Sequence, residues 1–116
     1  MSAQTVYTQA STAISSSSNS GPLLVGNYAE LALDINITVK SGTSPTIQFF
    51  IDRLGVDGVY YNVYTSSQYS ATPQVVSQSI GAGLALASSF AGTIQFRWVL
   101  GGTSPVWTYS VSLIGK

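Results

Sequence analysis

Leu31-Ala32-Leu33-Asp34-Ile35-Asn36-Ile37-Thr38-Val39-Lys40 is the stretch whose reading decides the fold class. Leu31, Leu33, Ile35, Ile37 and Val39 alternate with Ala32, Asp34, Asn36, Thr38 and Lys40. Side chains of an extended strand point to opposite faces in turn, so this period of two places an apolar row on one face and a polar row on the other. The Ile, Thr and Val content favours the same pleated conformation.

The same period continues on both sides. Ile47, Phe49 and Ile51 follow after a Gly- and Pro-containing stretch; Val59, Tyr61 and Val63 form a third run, and Val75 to Ile80 a weaker fourth. Ile94, Phe96, Trp98 and Leu100 alternate with Gln95, Arg97 and Val99, and Trp107, Tyr109, Val111 and Leu113 alternate with Thr108, Ser110 and Ser112. Thr5 to Ile14 reads as an N-terminal strand. No segment sustains a 3.6-residue period, and Gly83 to Ala91 is the one place where small residues suit a short helical turn. The expected fold is all-β: an antiparallel β-sandwich, jelly-roll or Ig-like, of about seven to eight strands. Trp98 and Trp107 fall on the inward phase and are expected in or beside the core, not on a sugar-stacking platform.

Residues 1–22 differ in composition. A Thr- and Ala-rich strand leads into Ser15-Ser16-Ser17-Ser18-Asn19-Ser20-Gly21-Pro22, so the chain divides into an N-terminal arm with a Ser-rich linker (1–22) and a sandwich domain (23–116). The arm reads either as a frayed end or as a strand added to its own sheet or a neighbour's.

Two segments sixty residues apart echo each other: Val39-Lys40-Ser41-Gly42-Thr43-Ser44-Pro45-Thr46-Ile47 and Val99-Leu100-Gly101-Gly102-Thr103-Ser104-Pro105-Val106-Trp107. Each sets Gly-Thr-Ser-Pro between two apolar runs and reads as a hairpin connection. The inward residues centre the first on Thr43 and the second between Thr103 and Ser104, one odd and one even loop. A one-residue slip turns every side chain over, so a β-bulge is expected near Lys40-Ser41 or near Leu100-Gly101. Gly55-Val56-Asp57-Gly58 reads as a third, tight turn.

Charged residues make up 7% of the 116, and formal net charge is zero. Glu30, Asp34, Lys40, Asp52, Arg53, Asp57, Arg97 and Lys116 are the whole set. A free monomer so poor in charge lacks the repulsion that keeps domains apart in solution, which suits a surface covered by partners; a surface wetted by Ser, Thr, Asn and Gln is the other reading. Four basic residues form no patch for a phosphate backbone, so nucleic acid is not an expected partner. Ile80 to Ala87, the longest weakly polar stretch, is too short to span a bilayer, so neither is a membrane. Met1-Ser2-Ala3-Gln4 shows no basic or apolar leader, and synthesis in the cytoplasm is expected.

The chain contains no Cys and no His, which removes disulfides, thiolate chemistry, and the commonest general base and metal ligand. Asp34 and Asp52 fall at outward positions and read as solvated charges or salt-bridge partners, not as a catalytic pair. Asp52, Asp57 and Gly58 fall short of the six to eight oxygens of a calcium site. No phosphate-binding glycine motif occurs. No catalytic, cofactor or metal residue is expected, and the chain is not expected to be an enzyme. Phe50, Tyr60, Tyr64 and Val99, together with Tyr7 and Ile14 of the N-terminal strand, are the interface candidates, because outward-facing rings give large contact area at low entropy cost. The other reading of these rings is cover by the N-terminal strand within the same subunit.

The order of several short motifs resembles small structural proteins of tailed bacteriophages. These are Asn19-Ser20-Gly21, Tyr28-Ala29-Glu30-Leu31, the first Ser-Gly-Thr-Ser-Pro-Thr, the Asp57-Gly58 turn before aromatic residues, Arg97-Trp98-Val99-Leu100, the second Gly-Gly-Thr-Ser-Pro and the closing Val111 to Lys116. The resemblance covers most of residues 19–116, and departs where Tyr60 and Tyr61 stand in place of a Trp after the Asp-Gly turn. It implies a β-sandwich virion protein, foremost a capsid decoration (cement) protein on the head surface, binding the major capsid protein and copies of itself as a homotrimer. A tail, neck or baseplate component of the same particle, and a carbohydrate-binding module for host attachment, are the alternatives.

Overall fold

The computed structural model describes residues 4–26, 28, 30–80 and 92–115. Its strands are β1 (Gln4–Ile14), β2 (Ser18–Asn19), β3 (Leu23–Leu24), β4 (Leu31–Leu54), β5 (Tyr60–Thr65), β6 (Gln74–Ile80) and β7 (Thr93–Gly115). The fold is all-β and antiparallel, and the described residues contain no α-helix. Gly83 to Ala91, read as a short helical turn, lies outside the described residues.

β4 and β7 each join two of the runs that the sequence separates. They pair with each other along nearly their whole length, from Leu31↔Gly115 through Thr43↔Thr103 to Arg53↔Ile94. The two Gly-Thr-Ser-Pro segments are therefore not hairpin connections. Neither chain reverses at them; instead each strand bends there, and the two bends cross. Gly42 and Gly102 have φ of +108° and +97°, and Ser44 and Ser104 have φ of +48° and +49°. The backbone of each glycine lies against the Thr-Ser carbonyls of the other segment. The sixty-residue echo is a local two-fold relation between crossing strands.

The flanking segments follow the same course. Residues 4–24 run antiparallel along β7, pairing Gln4 with Gly115 at one end and Leu24 with Thr93 at the other. Residues 60–80 run along the other side of β4 through β5, an Ile47↔Tyr69 bridge and β6. Four strips thus bend at one level, at Ser15–Ser17, Gly42–Pro45, Ser70–Pro73 and Gly102–Pro105. The strands form one continuous sheet whose limbs fold over to face each other, in place of two separate sheets. Phe49 of one limb meets Tyr109 of the other edge-on at 5.2 Å, and Tyr7 reaches Phe96 at 6.0 Å.

The residues between the limbs are the alternating ones. Leu31, Leu33, Ile35 and Ile37 are buried on β4 before the corner, and Ile47, Phe49 and Ile51 after it. Ile94, Phe96 and Trp98 face Trp107, Tyr109, Val111 and Leu113 from the other half of β7. Both tryptophans are in the core as expected, Trp107 fully and Trp98 with 7% exposure. Val39 is not: it is 55% exposed. The register slips between Ile37 and Val39, leaving Thr38 as an extra residue opposite the Tyr109–Thr108 step. A bulge thus stands just before Lys40-Ser41 and turns Val39 outward, although the loop parities that led to its expectation fall with the hairpins; two further slips follow, at Ser41/Thr43 and Thr43/Thr46.

Residues 4–22 follow the second of the two readings of the N-terminal segment, a strand added to the chain's own sheet, since β1 pairs with β7. The serine tract is held in place: Trp98 Nε1 donates to the Ser16 carbonyl (3.1 Å), and Leu100 N and Phe96 N donate to Ser17 Oγ and Ser20 Oγ. The tract supplies hydroxyls where the sheet edge leaves backbone donors without a strand partner.

Candidate functional site

The outer face of the limb built from the second half of β4 and the first half of β7 carries a buried ion pair. Asp52 opposes Gln95 and lies diagonally to Arg97, which opposes Phe50. Arg97 grips the carboxylate with Nε (2.8 Å) and Nη2 (3.2 Å), Gln95 Nε2 donates at 3.0 Å, and Asn62 Nδ2 at 3.2 Å. Asp52 is 4% exposed, so its reading as a solvated outward charge is corrected, whereas its reading as a salt-bridge partner holds. The cause is a slip between Ile51 and Asp52 in the pairing with β5, which leaves Val63 extra and draws Asn62 over the carboxylate.

Burial pushes the Asp52 carboxyl up, but the hydrogen bonds from Arg97, Gln95 and Asn62 and the charge of Arg97 outweigh it and hold the group below the usual carboxylate range. A carboxyl depressed by folding stabilises the fold above its unfolded value of about 3.9 and loses that contribution as pH falls through the lower folded value. Urea unfolding followed from pH 6 to pH 2 is therefore expected to show stability falling below about pH 4, with a shallower fall in Asp52→Asn. At neutral pH that variant is expected to cost about 1–3 kcal/mol.

Arg97 lies over the Phe50 ring at 4.1 Å, and Arg53 over Tyr61 at 5.0 Å. Asp57 holds the β4–β5 turn, accepting from Val59 N (3.1 Å) and the Tyr61 hydroxyl. Gly58 N donates to the Gly55 carbonyl at 3.0 Å, which closes the tight turn expected there. The Tyr61 hydroxyl and the Val59 N–H hold the Asp57 carboxyl below its ordinary range. Asp34 is exposed and accepts from Ser77 Oγ, too far along β4 from Asp52 to act with it. Among the described residues no three His, Cys, Asp or Glu side chains gather in a metal-binding group.

The six interface candidates do not form one cluster. Tyr64, Tyr7 and Ile14 pack against the core from its margins, and burial pushes the two tyrosine hydroxyls up in pKa. Phe50 is half-buried beneath Arg97, Tyr60 is half-buried opposite Leu54, and Val99 alone is exposed. The expected inward row Val59, Tyr61 and Val63 is also corrected: the bulge at Val63 breaks the alternation, so Val59 and Tyr61 are exposed while Val63 packs on the core. The exposed apolar residues instead lie scattered, at Leu24, Val39, Val56, Val59, Val75 and Val99.

Open hollows mark the surface formed by the described residues. One, of about 500 Å³, sits at the corner between Lys40, Gly42, Ser44, Pro45 and Ser70, with Lys40 Nζ donating to the Ser70 carbonyl. A second, of about 430 Å³, lies on the outer face of the opposite limb between Asp34, Asn36, Val75, Ser77, Ser110 and Ser112. The second hollow holds the Ser77 hydroxyl on the Asp34 carboxylate (3.1 Å), both side chains exposed to solvent. Among the described residues no helix is long and apolar enough to cross a membrane. No protein-family model matches the chain, and no curated protein matches it significantly.

Proposed function

We propose that this protein is a structural subunit of a larger assembly, with no chemistry of its own. The observation that carries the reading is the disposition of charge. Asp52 and Arg97 neutralise each other, Arg53 covers Tyr61, Asp57 is held in its turn and Lys40 is tied to a backbone carbonyl. Asp34 and Asp57 stay exposed; the rest of the described surface offers mainly hydroxyls, amides and scattered valines, which cost less to desolvate against a partner than unpaired charges do.

Within that class, the ordered motifs shared with small tailed-phage structural proteins favour a virion component, and first a capsid decoration protein on the head. Its contribution would be linkage: a subunit that binds the mature shell and not its precursor stabilises the shell by mass action over many copies. Burial of Trp98 and Trp107, and the capping of Phe50 and Tyr61 by arginines, count against a sugar-stacking platform. Fractionating heads from tails and counting copies of this chain tests the reading. Hundreds of copies with the heads are expected; recovery with tails, or at six or so copies per particle, would move the chain to the tail, neck or baseplate, and recovery with neither would overturn the virion reading.

A further inference from the structure

The two Gly-Thr-Ser-Pro bends carry the same Val, Gly, Thr, Ser and Pro at corresponding places, and their backbones agree at the glycine and the serine. They differ at Lys40 against Leu100, Ser41 against Gly101, Thr46 against Val106 and Ile47 against Trp107. At the first three of these places the first bend has a polar side chain and the second has none. Leu100, Gly101 and Val106 show that the bend forms without polar side chains there. The polar set of the first bend therefore answers to something other than the course of the backbone. Its three residues open, with Ser44 and Ser70, on the corner hollow of about 500 Å³. The lining holds one ammonium, four hydroxyls and no carboxylate. Lys40 is exposed, and its Nζ donates to the neutral Ser70 carbonyl, which uses one of three N–H groups and leaves the charge uncompensated within the hollow.

We propose that this corner binds a carboxylate, the group that an acidic side chain of a docking partner presents. Hydroxyls can donate or accept, so the charge decides the ligand: an oxyanion gains a charge-assisted hydrogen bond from Lys40 that a neutral ligand does not. One ammonium in the hollow matches one singly charged group. Lysine is a flexible point charge and the hollow is open to water, so a free carboxylate ion binds weakly, and more weakly as salt rises. The proposal rests on the structural-subunit reading only for the source of the carboxylate. The site itself belongs to the free chain and is tested on it.

Backbone amide resonances of the isotope-labelled full chain, followed near neutral pH while sodium acetate replaces sodium chloride at fixed ionic strength, test it. The expected result is a saturable shift at Ser41, Gly42, Ser44, Thr46 and Ser70, with the Gly55–Gly58 turn unmoved. Lys40→Gln should weaken acetate binding about three- to tenfold, and Lys40→Arg should restore most of it. Ser41→Gly/Thr46→Val installs the residues that the second bend already accommodates; it should weaken binding less than Lys40→Gln does, and gives a readout that leaves the lysine in place. Shifts that climb without saturation, that persist undiminished in Lys40→Gln, or that the neutral sugar methyl glucoside reproduces would overturn the proposal. So would shifts with inorganic phosphate and none with acetate. If acetate binds as expected while Lys40→Gln chains dock on their partner as well as wild type, the site stands and the partner as its source of carboxylate falls.

Discussion

Gly42→Ala is expected to cost about 3–5 kcal/mol, combining the strain of a side chain in the left-handed region with overpacking against fixed backbone. A Cβ at Gly42 would stand 2.6 Å from the Ser104 carbonyl oxygen and 2.8 Å from that of Thr103. Gly102→Ala should behave alike, since its Cβ would meet the Ser44 and Thr43 carbonyls at 2.5 and 2.8 Å. Both substitutions push the same two strands apart at one crossing, so the double variant should cost less than the two single costs together. Gly58→Ala is the control: its φ is +82° but nothing lies within 4 Å of the added carbon. It should cost about 1 kcal/mol, the left-handed penalty alone. Urea denaturation midpoints decide, and a Gly42→Ala midpoint equal to that of the control would refute the crossed corner.

Phe49→Ala should cost about 4 kcal/mol, near the middle of the range for removing a fully buried ring. Phe49 stacks on Phe96 at 5.7 Å, meets Tyr109 edge-on at 5.2 Å and reaches Tyr69 at 6.4 Å. Two of these partners lie on its own limb or beside it and the third lies opposite, so the ring couples the folded halves of the sheet. The cavity left would be hard to close, because its neighbours are themselves rings held by strands on both sides. Val99→Ala, on the outer face of the same limb, should change stability by less than about 0.5 kcal/mol. Thermal or urea unfolding of both variants checks the contrast.

The inward rows were legible because burial acts on every second residue of a strand, and it does so from Leu31 to Ile37 and from Trp107 to Leu113 without interruption. An irregularity near Lys40-Ser41 was legible too, and it stands at Thr38, but the hairpin parities behind that expectation were not its cause. The corner was not. Gly-Thr-Ser-Pro states that the backbone must deviate, but whether a chain reverses or bends there depends on what lies alongside, and at each echo that neighbour is the other echo, sixty residues away. Reading both as hairpins broke two long strands into four. The same limit hid the Asp52 site. Its partners come from β5 and β7, and the slip at Val63 that places Asn62 over the carboxylate has no mark in the local sequence. The Ser15–Ser18 tract looks like a linker in isolation, yet its hydroxyls and carbonyls meet donors on β7 that composition alone does not reveal.

The interface candidates are spread over the fold for a related reason. Tyr7, Ile14 and Tyr64 sit on strands whose outer neighbours were unknown, and each turns onto the rim of the core once the sheet folds over.

The claim that this chain is a structural subunit of a particle is tested most directly by density from an intact phage particle that encodes it. The account predicts this folded sheet on the outer surface of the head in many copies. Density accounting for every head and tail protein without this fold would contradict it.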